Sequence, residues 1–190
     1  FGPHVRYGAH RETIDKLTEA IGRRRTVQMR YFSASRNATT RREVDPYRLW
    51  YASGALYLVA HCHLRGEVRL FAVERIRSCT LTDHAYQLPL HFDFDAYVQD
   101  ALKVMRGGRP VTVALRFDRA TAAWVKDRTW HPSQECVPEA GGRLRLTLKV
   151  AVTPELVGWV LGFGAGVRVL EPPALRTAVR ETAQRILETA

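Results

Sequence analysis

The sequence predicts an α+β protein in two parts: a helix with a small antiparallel β-barrel, followed by a βαββαβ module with a terminal helix. Three observations lead to this prediction. The 190 residues are 46% hydrophobic and 25% charged, which is the composition of a folded globular chain. One amphipathic helix pattern is followed by about five short strand patterns with tight turns. Strand and helix patterns then alternate to the C-terminus.

The first part begins with a helix at Glu12–Ile21, where apolar residues recur at helical spacing before Gly22. Apolar and polar residues then alternate in Val27–Phe32, which is strand spacing, and the polar stretch Ser33–Arg42 is predicted as a loop. Further strands are predicted at Glu43–Tyr51, Ala55–His63, Glu67–Glu74 and Arg77–Thr82. This succession is typical of an SH3-like or Sm-like barrel.

The second part follows a helical connector. Asp93 or Asp95 can cap a helix that runs toward Met105, before Gly107-Gly108-Arg109-Pro110 ends it. The elements after it are a strand (111–117), a helix (118–130), strands (133–138 and 144–152), a helix (153–161), a strand (167–170) and a last helix. This order is ferredoxin-like. We therefore predict domains at residues 1–82 and 110–190, with a helical linker at residues 83–109.

The charge favours anionic partners, nucleic acid first. Lys and Arg number 29 against 19 Asp and Glu, a formal net charge of +10. Only four of these 29 are lysines, and the arginine fork suits phosphate, although a GC-rich genome also enriches arginine. Residues 20–42 contain no acidic residue and hold Arg23, Arg24, Arg25, Arg30, Arg36, Arg41 and Arg42. The alternative explanation is a solvated charged face.

Several classes of protein are disfavoured. No stretch approaches the about 18 uncharged apolar residues of a membrane span, and the N-terminus lacks the apolar core of a signal peptide. The cysteines Cys62, Cys79 and Cys136 are odd in number and form no C-x-x-C pair, so we expect a reducing cytoplasmic location. No catalytic motif is found, so we expect no enzyme. The first residue is not Met, which suggests a fragment of a longer chain.

One run of residues resembles a known family. The segment VDPYRLWYASGALYLVAHCHLRGEVRLFAVERIRS, residues 44–78, is similar to the core of the bacterial WYL domain. Leu56-Tyr57-Leu58 stands at the Trp-Tyr-Leu position, with Leu56 in place of the Trp, and Glu74-Arg75-Ile76 stands for Asp-Arg-Ile. The other matching positions are Arg42, Pro46, Arg69 and Phe71.

The resemblance extends over nearly the whole chain. Upstream, Val27–Ser33 is similar to the opening of the family, and downstream residues 130–134 and 163–173 resemble the WCX extension. The resemblance implies a transcriptional regulator in which a winged helix-turn-helix reads duplex DNA, an Sm-like WYL barrel senses an effector and WCX assists dimerisation or contacts the ligand. The ten residues before the first helix are too few to form a winged helix-turn-helix, so we expect an excised fragment or a natural protein that lacks this DNA-binding domain.

The resemblance also implies an effector that is nucleic acid or a nucleotide, with single-stranded DNA the leading case. Such sites combine arginines that track phosphates with aromatic rings that stack on bases. We therefore predict an effector site of Tyr31, Ser33, Arg42, Tyr57, His61, Arg69, Phe71 and Arg75. The alternative is that the aromatic residues pack the barrel and the arginines form structural ion pairs.

Strand alternation leaves the arrangement of this site open. Residues 57, 59, 61 and 63 share one face of their strand, and residues 56, 58, 60 and 62 share the other, which is expected to be core. If Arg65-Gly66 is a two-residue turn, Arg69 and Phe71 lie on the core face; one extra loop residue places them with Tyr57 and His61.

The triplet His61-Cys62-His63 contains residue types that bind zinc. Alternation sends Cys62 to the face opposite the two histidines, and the other histidines show no ligand spacing, so we expect neither a metal nor a cofactor.

Three function classes stay open. The first class is an effector-sensing, homodimeric region of a WYL regulator. It predicts affinity for single strands or nucleotides and a cytoplasmic or nucleoid location. It also predicts that duplex DNA is bound only through a helix-turn-helix that is absent here. A general RNA- or DNA-binding accessory protein of a nuclease or defence system predicts binding without a discrete pocket. A plain dimerisation module predicts no nucleic-acid binding.

Overall fold

A computed structural model describes residues 5–99 and 108–189. The described residues form two compact units, the first ending at Phe92 and the second beginning at Asp93. Each unit has one antiparallel sheet and its own cluster of buried apolar side chains. Within the described ranges, every helix is too short or too polar to cross a membrane.

The first unit consists of one α-helix and five strands. Its elements are α1 (Arg11–Arg23), β1 (Arg25–Ser33), β2 (Ala38–Ala52), β3 (Ala55–Cys62), β4 (Glu67–Ala72) and β5 (Ile76–Ala85). Single 3-10 turns at Ala34–Arg36 and Val73–Arg75 connect β1 to β2 and β4 to β5. The strands are ordered β4-β3-β2-β1-β5 in the sheet. Leu17 and Ala20 of α1 are fully buried against this sheet.

In the described residues, the first sheet does not close into the predicted barrel. The helix and five antiparallel strands are confirmed, but β4 and β5 are the two edges of the sheet and do not pair with each other in the described residues. The six-residue β4 ends where the Val73–Arg75 turn carries the chain to β5. The end of β4 is linked to β1 by a side chain, because the Tyr31 hydroxyl of β1 accepts a hydrogen bond from the Ala72 N–H of β4 at 3.3 Å.

The predicted loop at Ser33–Arg42 is wrong in its second half, because β2 already begins at Ala38. Thr39 and Thr40 pair with Phe32 and Tyr31 across the β1–β2 hairpin. The prediction treated the polar threonines as loop residues, but threonine is β-branched and is common in strands.

The second unit has the predicted βαββαβ order with a terminal helix. Its elements are α2 (Phe94–Gln99), β6 (Val111–Phe117), α3 (Arg119–Val125), β7 (Glu135–Glu139), β8 (Arg143–Val150), α4 (Pro154–Leu161), β9 (Val167–Glu171) and α5 (Pro173–Thr189). The strands are ordered β7-β8-β6-β9, and all neighbours are antiparallel. The core is formed by β6, β8 and α4, with Phe117, Leu146, Leu148 and Leu156 fully buried.

The sequence predicted the start of α2 correctly but placed the end of α3 too late. The Asp93 carboxylate accepts hydrogen bonds from the N–H groups of Asp95 and Ala96, so it caps α2 as expected. The predicted continuation of α2 toward Met105 lies outside the described residues. Helix α3 ends at Val125 rather than at Trp130, because the indole N–H of Trp130 turns back to donate to the Val125 carbonyl at 3.2 Å.

Candidate functional site

The register of β3 and β4 decides which candidate residues share a face of the first sheet. Arg69 pairs with Ala60, and Phe71 pairs with Leu58. Directly paired residues project to the same face, so Arg69 and Phe71 lie on the face of the buried core. We call this the inner face, defined by Val27, Met29, Val44, Leu58 and Ala60. Four residues connect β3 to β4, which is two more than in the predicted two-residue turn. Because side chains alternate with a period of two, two extra residues leave Arg69 and Phe71 on the same face of the sheet.

Arg42 also belongs to the inner face, where it pairs with Met29 and is only 7% exposed. Its Nε donates to Thr40 Oγ1 at 3.0 Å, and its Nη1 donates to Cys62 Sγ at 3.9 Å. Both acceptors are neutral side chains. Within residues 5–99 and 108–189, no carboxylate forms an ion pair with Arg42.

Tyr31 and Phe71 form an aromatic pair on the inner face. Their rings meet edge to face with centroids 5.0 Å apart. Phe71 is 3% exposed and belongs to the core, so neither face of its ring is open to a base in this structure. Ser33 lies at the end of β1, opposite Ala38 in the ladder.

The remaining arginines of the predicted site are exposed. Arg69 is half-exposed and forms an ion pair with Glu67 of its own strand. Exposed ion pairs of this kind contribute about 0–1 kcal/mol, so Arg69 can exchange Glu67 for a phosphate at little cost. Arg75 is exposed on the Val73–Arg75 turn that follows β4.

Tyr57 and His61 lie on the opposite face of β3, which we call the outer face. Tyr57 pairs with Trp50 of β2, and their ring centroids are 6.2 Å apart. His61 pairs with Asp45, with 3.8 Å between His61 Nδ1 and Asp45 Oδ2. The structure therefore brings Tyr31, Ser33, Arg42, Arg69 and Phe71 to one face and Tyr57 and His61 to the other, with Arg75 on the connecting turn.

The outer face carries basic residues that the predicted site omitted. Arg30 of β1 and Arg41 of β2 are exposed and lie directly opposite each other in the ladder. The guanidinium of Arg77 lies 5.4 Å above the ring of Phe32. We call Arg30, Phe32, Arg41 and Arg77 the outer basic strip. Alternation within β1 could have grouped Arg30 with Phe32, but the pairing with Arg41 required the ladder register.

Cys79 of β5 carries a thiol whose pKa is strongly shifted. Burial raises the pKa of the Cys79 thiol to about 11, and the charge of Lys16 opposes this only in part. The thiol therefore stays protonated at neutral pH, which makes it a poor nucleophile and metal ligand.

Comparisons with known proteins match both units. The family model of the WYL domain matches residues 12–81, and that of the WCX domain matches residues 109–187. The chain is 29% identical over 187 residues to the "Uncharacterized HTH-type transcriptional regulator YobV" of Bacillus subtilis (strain 168), covering 92% of this chain and 56% of that protein. It is 32% identical over 168 residues to "Protein PafB" of Mycobacterium leprae (strain TN), covering 86% and 49%. The chain thus spans about half the length of these relatives.

A solved structure shares the fold. The crystal structure of a CRISPR Cas-related protein matches 95% of this chain and 54% of its own with a TM-score of 0.54. The two sequences are 12% identical, so this similarity concerns the fold alone.

Proposed function

Because the chain belongs to the family of proteins that carry a WYL domain followed by a WCX domain, we propose that it is the effector-sensing and dimerisation region of a bacterial transcriptional regulator. Its effector is single-stranded DNA or a nucleotide-type ligand. In such a regulator, effector binding controls how a helix-turn-helix elsewhere in the protein binds duplex DNA. The similarity to a protein described as an HTH-type regulator supports this proposal.

The observation that carries the proposal is the buried guanidinium of Arg42. A buried charge without a counter-ion costs several kcal/mol of stability, and folded proteins normally pair it. Among the described residues, the hydrogen-bond acceptors at Arg42 are the neutral side chains of Thr40 and Cys62. An anionic group bound at the inner face would supply the missing charge, and the arginine fork fits a phosphate with two parallel hydrogen bonds.

Arg69 and Arg75 extend the positive charge beyond Arg42. Both are exposed, and Arg69 of β4 pairs with Ala60 of β3 on the inner face. We assign to these two arginines the adjacent phosphates of a single strand, which is a role that exposed guanidinium groups commonly have.

We assign the base contacts to Tyr57 and His61, which lie on the outer face of the sheet. Phe71 is buried, and the partly exposed Tyr31 packs edge to face against it, whereas Tyr57 and His61 on the outer face are both partly exposed. β4 is the edge of the sheet, and Ala72 of β4 pairs with Tyr57. A flexible single strand held by Arg69 can pass around this edge to reach Tyr57, whereas a rigid duplex cannot.

Fluorescence anisotropy with a labelled single-stranded oligonucleotide tests the proposal. We expect binding whose log K falls by about 0.7 per neutralised phosphate for each log unit of salt. We also expect an unlabelled mononucleotide to compete, because an anion at Arg42 needs only one phosphate. Absence of oligonucleotide binding at low salt would refute the proposal.

A second candidate function is nucleic-acid binding without a pocket, and the outer basic strip favours it. Arg30 and Arg41 are like charges that face each other directly, an arrangement that costs stability unless an anion lies over them. Phe32 beneath Arg77 adds a ring to this surface. Binding there would strengthen with oligonucleotide length and would resist competition by a mononucleotide, which separates it from the first candidate.

A further inference from the structure

Three side chains with metal-binding atoms meet on the outer face of the first unit. Asp45 of β2 pairs directly with His61 of β3, and His63 follows the end of β3. His63 Nε2 lies 2.9 Å from Asp45 Oδ1, and His61 Nδ1 lies 3.8 Å from Asp45 Oδ2. One candidate ligand atom from each residue lies within 4.8 Å of the other two.

We propose that Asp45, His61 and His63 bind a divalent transition-metal ion, with Zn²⁺ as the reference ion. Zinc bonds of about 2.0–2.1 Å in tetrahedral geometry place ligand atoms about 3.4 Å apart, which lies within the range of separations found here. Two imidazoles and one carboxylate form a recognised donor set, in which water completes the coordination. The inference does not rest on the proposed nucleic-acid function. When the ion is bound, His61 is its ligand and Tyr57 alone is left for base contacts on the outer face.

The surroundings hold these ligands in place. The His63 backbone N–H donates to the Glu43 carbonyl at 3.0 Å, which fixes the first residue after β3 against β2. The buried Thr26 hydroxyl of β1 donates to Asp45 Oδ1 at 2.7 Å and orients the carboxylate. Such outer partners position ligands in known metal sites.

The exposure of the three residues suits an ion that arrives from solvent. The Asp45 side chain is 15% exposed, and those of His61 and His63 are 34% and 40% exposed. An ion can therefore reach them without opening the core, while the partly buried carboxylate gives it one anionic ligand.

The sequence did not predict this site, because Cys62 divides the two histidines and points to the inner face. The third ligand comes from the preceding strand, and only the β2–β3 register shows that Asp45 lies opposite His61. A His–carboxylate hydrogen bond alone is the competing explanation. His84 beside Glu43, with 3.5 Å between Nδ1 and Oε1, is such a pair and provides a matched control.

The test is calorimetric titration of the untagged, chelator-treated 190-residue chain with Zn²⁺. We expect one ion per chain, and at least about 100-fold weaker binding for His63→Ala and Asp45→Asn, because even outer partners contribute about 10–100-fold. Thr26→Val should weaken binding by about tenfold. His84→Ala should bind like the parent, and Zn²⁺ should raise the Tm of the parent but not that of His63→Ala.

Circular dichroism checks that His63→Ala is folded. Because His63 is exposed, this variant should have the spectrum of the parent. A parent that binds Zn²⁺ no more tightly than folded His63→Ala would overturn the proposal. Equal losses in His84→Ala and His63→Ala would overturn it as well, since they would indicate scattered binding by surface histidines.

Discussion

Phe71 packs against Tyr31 in the core of the first unit, whereas Tyr57 lies half-buried beside Trp50 on the other face of the sheet. The WYL pattern in the sequence was sufficient to single out both rings, and also Arg42. It could not assign them different roles, because their faces depend on the β3–β4 register and thus on the length of the connecting loop. The burial of Arg42, and the lack of an ion pair between it and any carboxylate of the described residues, are likewise properties of the folded chain.

Phe71→Ala should lower the free energy of unfolding by about 3–5 kcal/mol, because it leaves a cavity in the core. Tyr57→Ala should cost clearly less, since part of the Tyr57 ring already contacts water. Urea unfolding followed by circular dichroism measures both changes. Equal losses would mean that Tyr57 is as much a core residue as Phe71.

Three arginines lie side by side across the sheet of the second unit. Arg116 of β6 pairs with Arg145 of β8 on one side and with Arg168 of β9 on the other. Glu139 of β7 offsets this charge, since its carboxylate accepts hydrogen bonds from Arg116 Nε at 2.5 Å and from Arg116 Nη2 at 3.2 Å. Sequence patterns could predict the strands, because alternation is local, but not the register that aligns these residues.

The hydrogen bond from Arg116, with the nearby charges of Arg143 and Arg145, holds the pKa of Glu139 below its ordinary value near 4.5. A carboxyl group with a lowered pKa stabilises the fold above the ordinary value, and this contribution is lost as the pH falls through the folded value. Glu139→Gln should therefore lower the Tm at pH 7, and the difference from the parent should shrink below about pH 4.5. Thermal melts between pH 7 and pH 3 check this. A constant difference would assign the effect to packing.

For the molecule as a whole, the sequence predicted the order of helices and strands better than it predicted the assembly of the sheets. Turns such as that around Gly54 and caps such as Asp93 are local signals, so element order was readable. Closure of the first sheet depends on distant pairing between β4 and β5, which the order of elements does not specify. For the same reason, the sequence could not predict which face of the sheet each residue of the predicted site occupies.

The homodimer stays a prediction, and the second unit offers apolar surface for it. Trp124 of α3 is 70% exposed, and Ile186 and Leu187 of α5 are 52% and 73% exposed. A regulator that reads paired half-sites also needs two copies. Light scattering at micromolar concentration should give twice the chain mass of 21.6 kDa. A mass of one chain would contradict the prediction.

Replacing Arg42 tests the proposed effector site most directly. Arg42→Gln removes a buried charge that pairs with no carboxylate in the described part of the chain, so without ligand the variant should be at least as stable as the parent. Its affinity for a single-stranded oligonucleotide should fall by about tenfold or more, because a hydrogen bond to a charged group contributes about 1.5–3 kcal/mol. Arg30→Gln on the outer basic strip removes the same charge and serves as the control.

The decisive measurement is therefore an anisotropy titration of the parent, Arg42→Gln and Arg30→Gln, with melting curves for each. An effector site at Arg42 predicts weakened binding and unimpaired stability in Arg42→Gln alone, with a shallower salt dependence. Parent-like binding by Arg42→Gln, or an equal loss in Arg30→Gln, would contradict a site on the inner face.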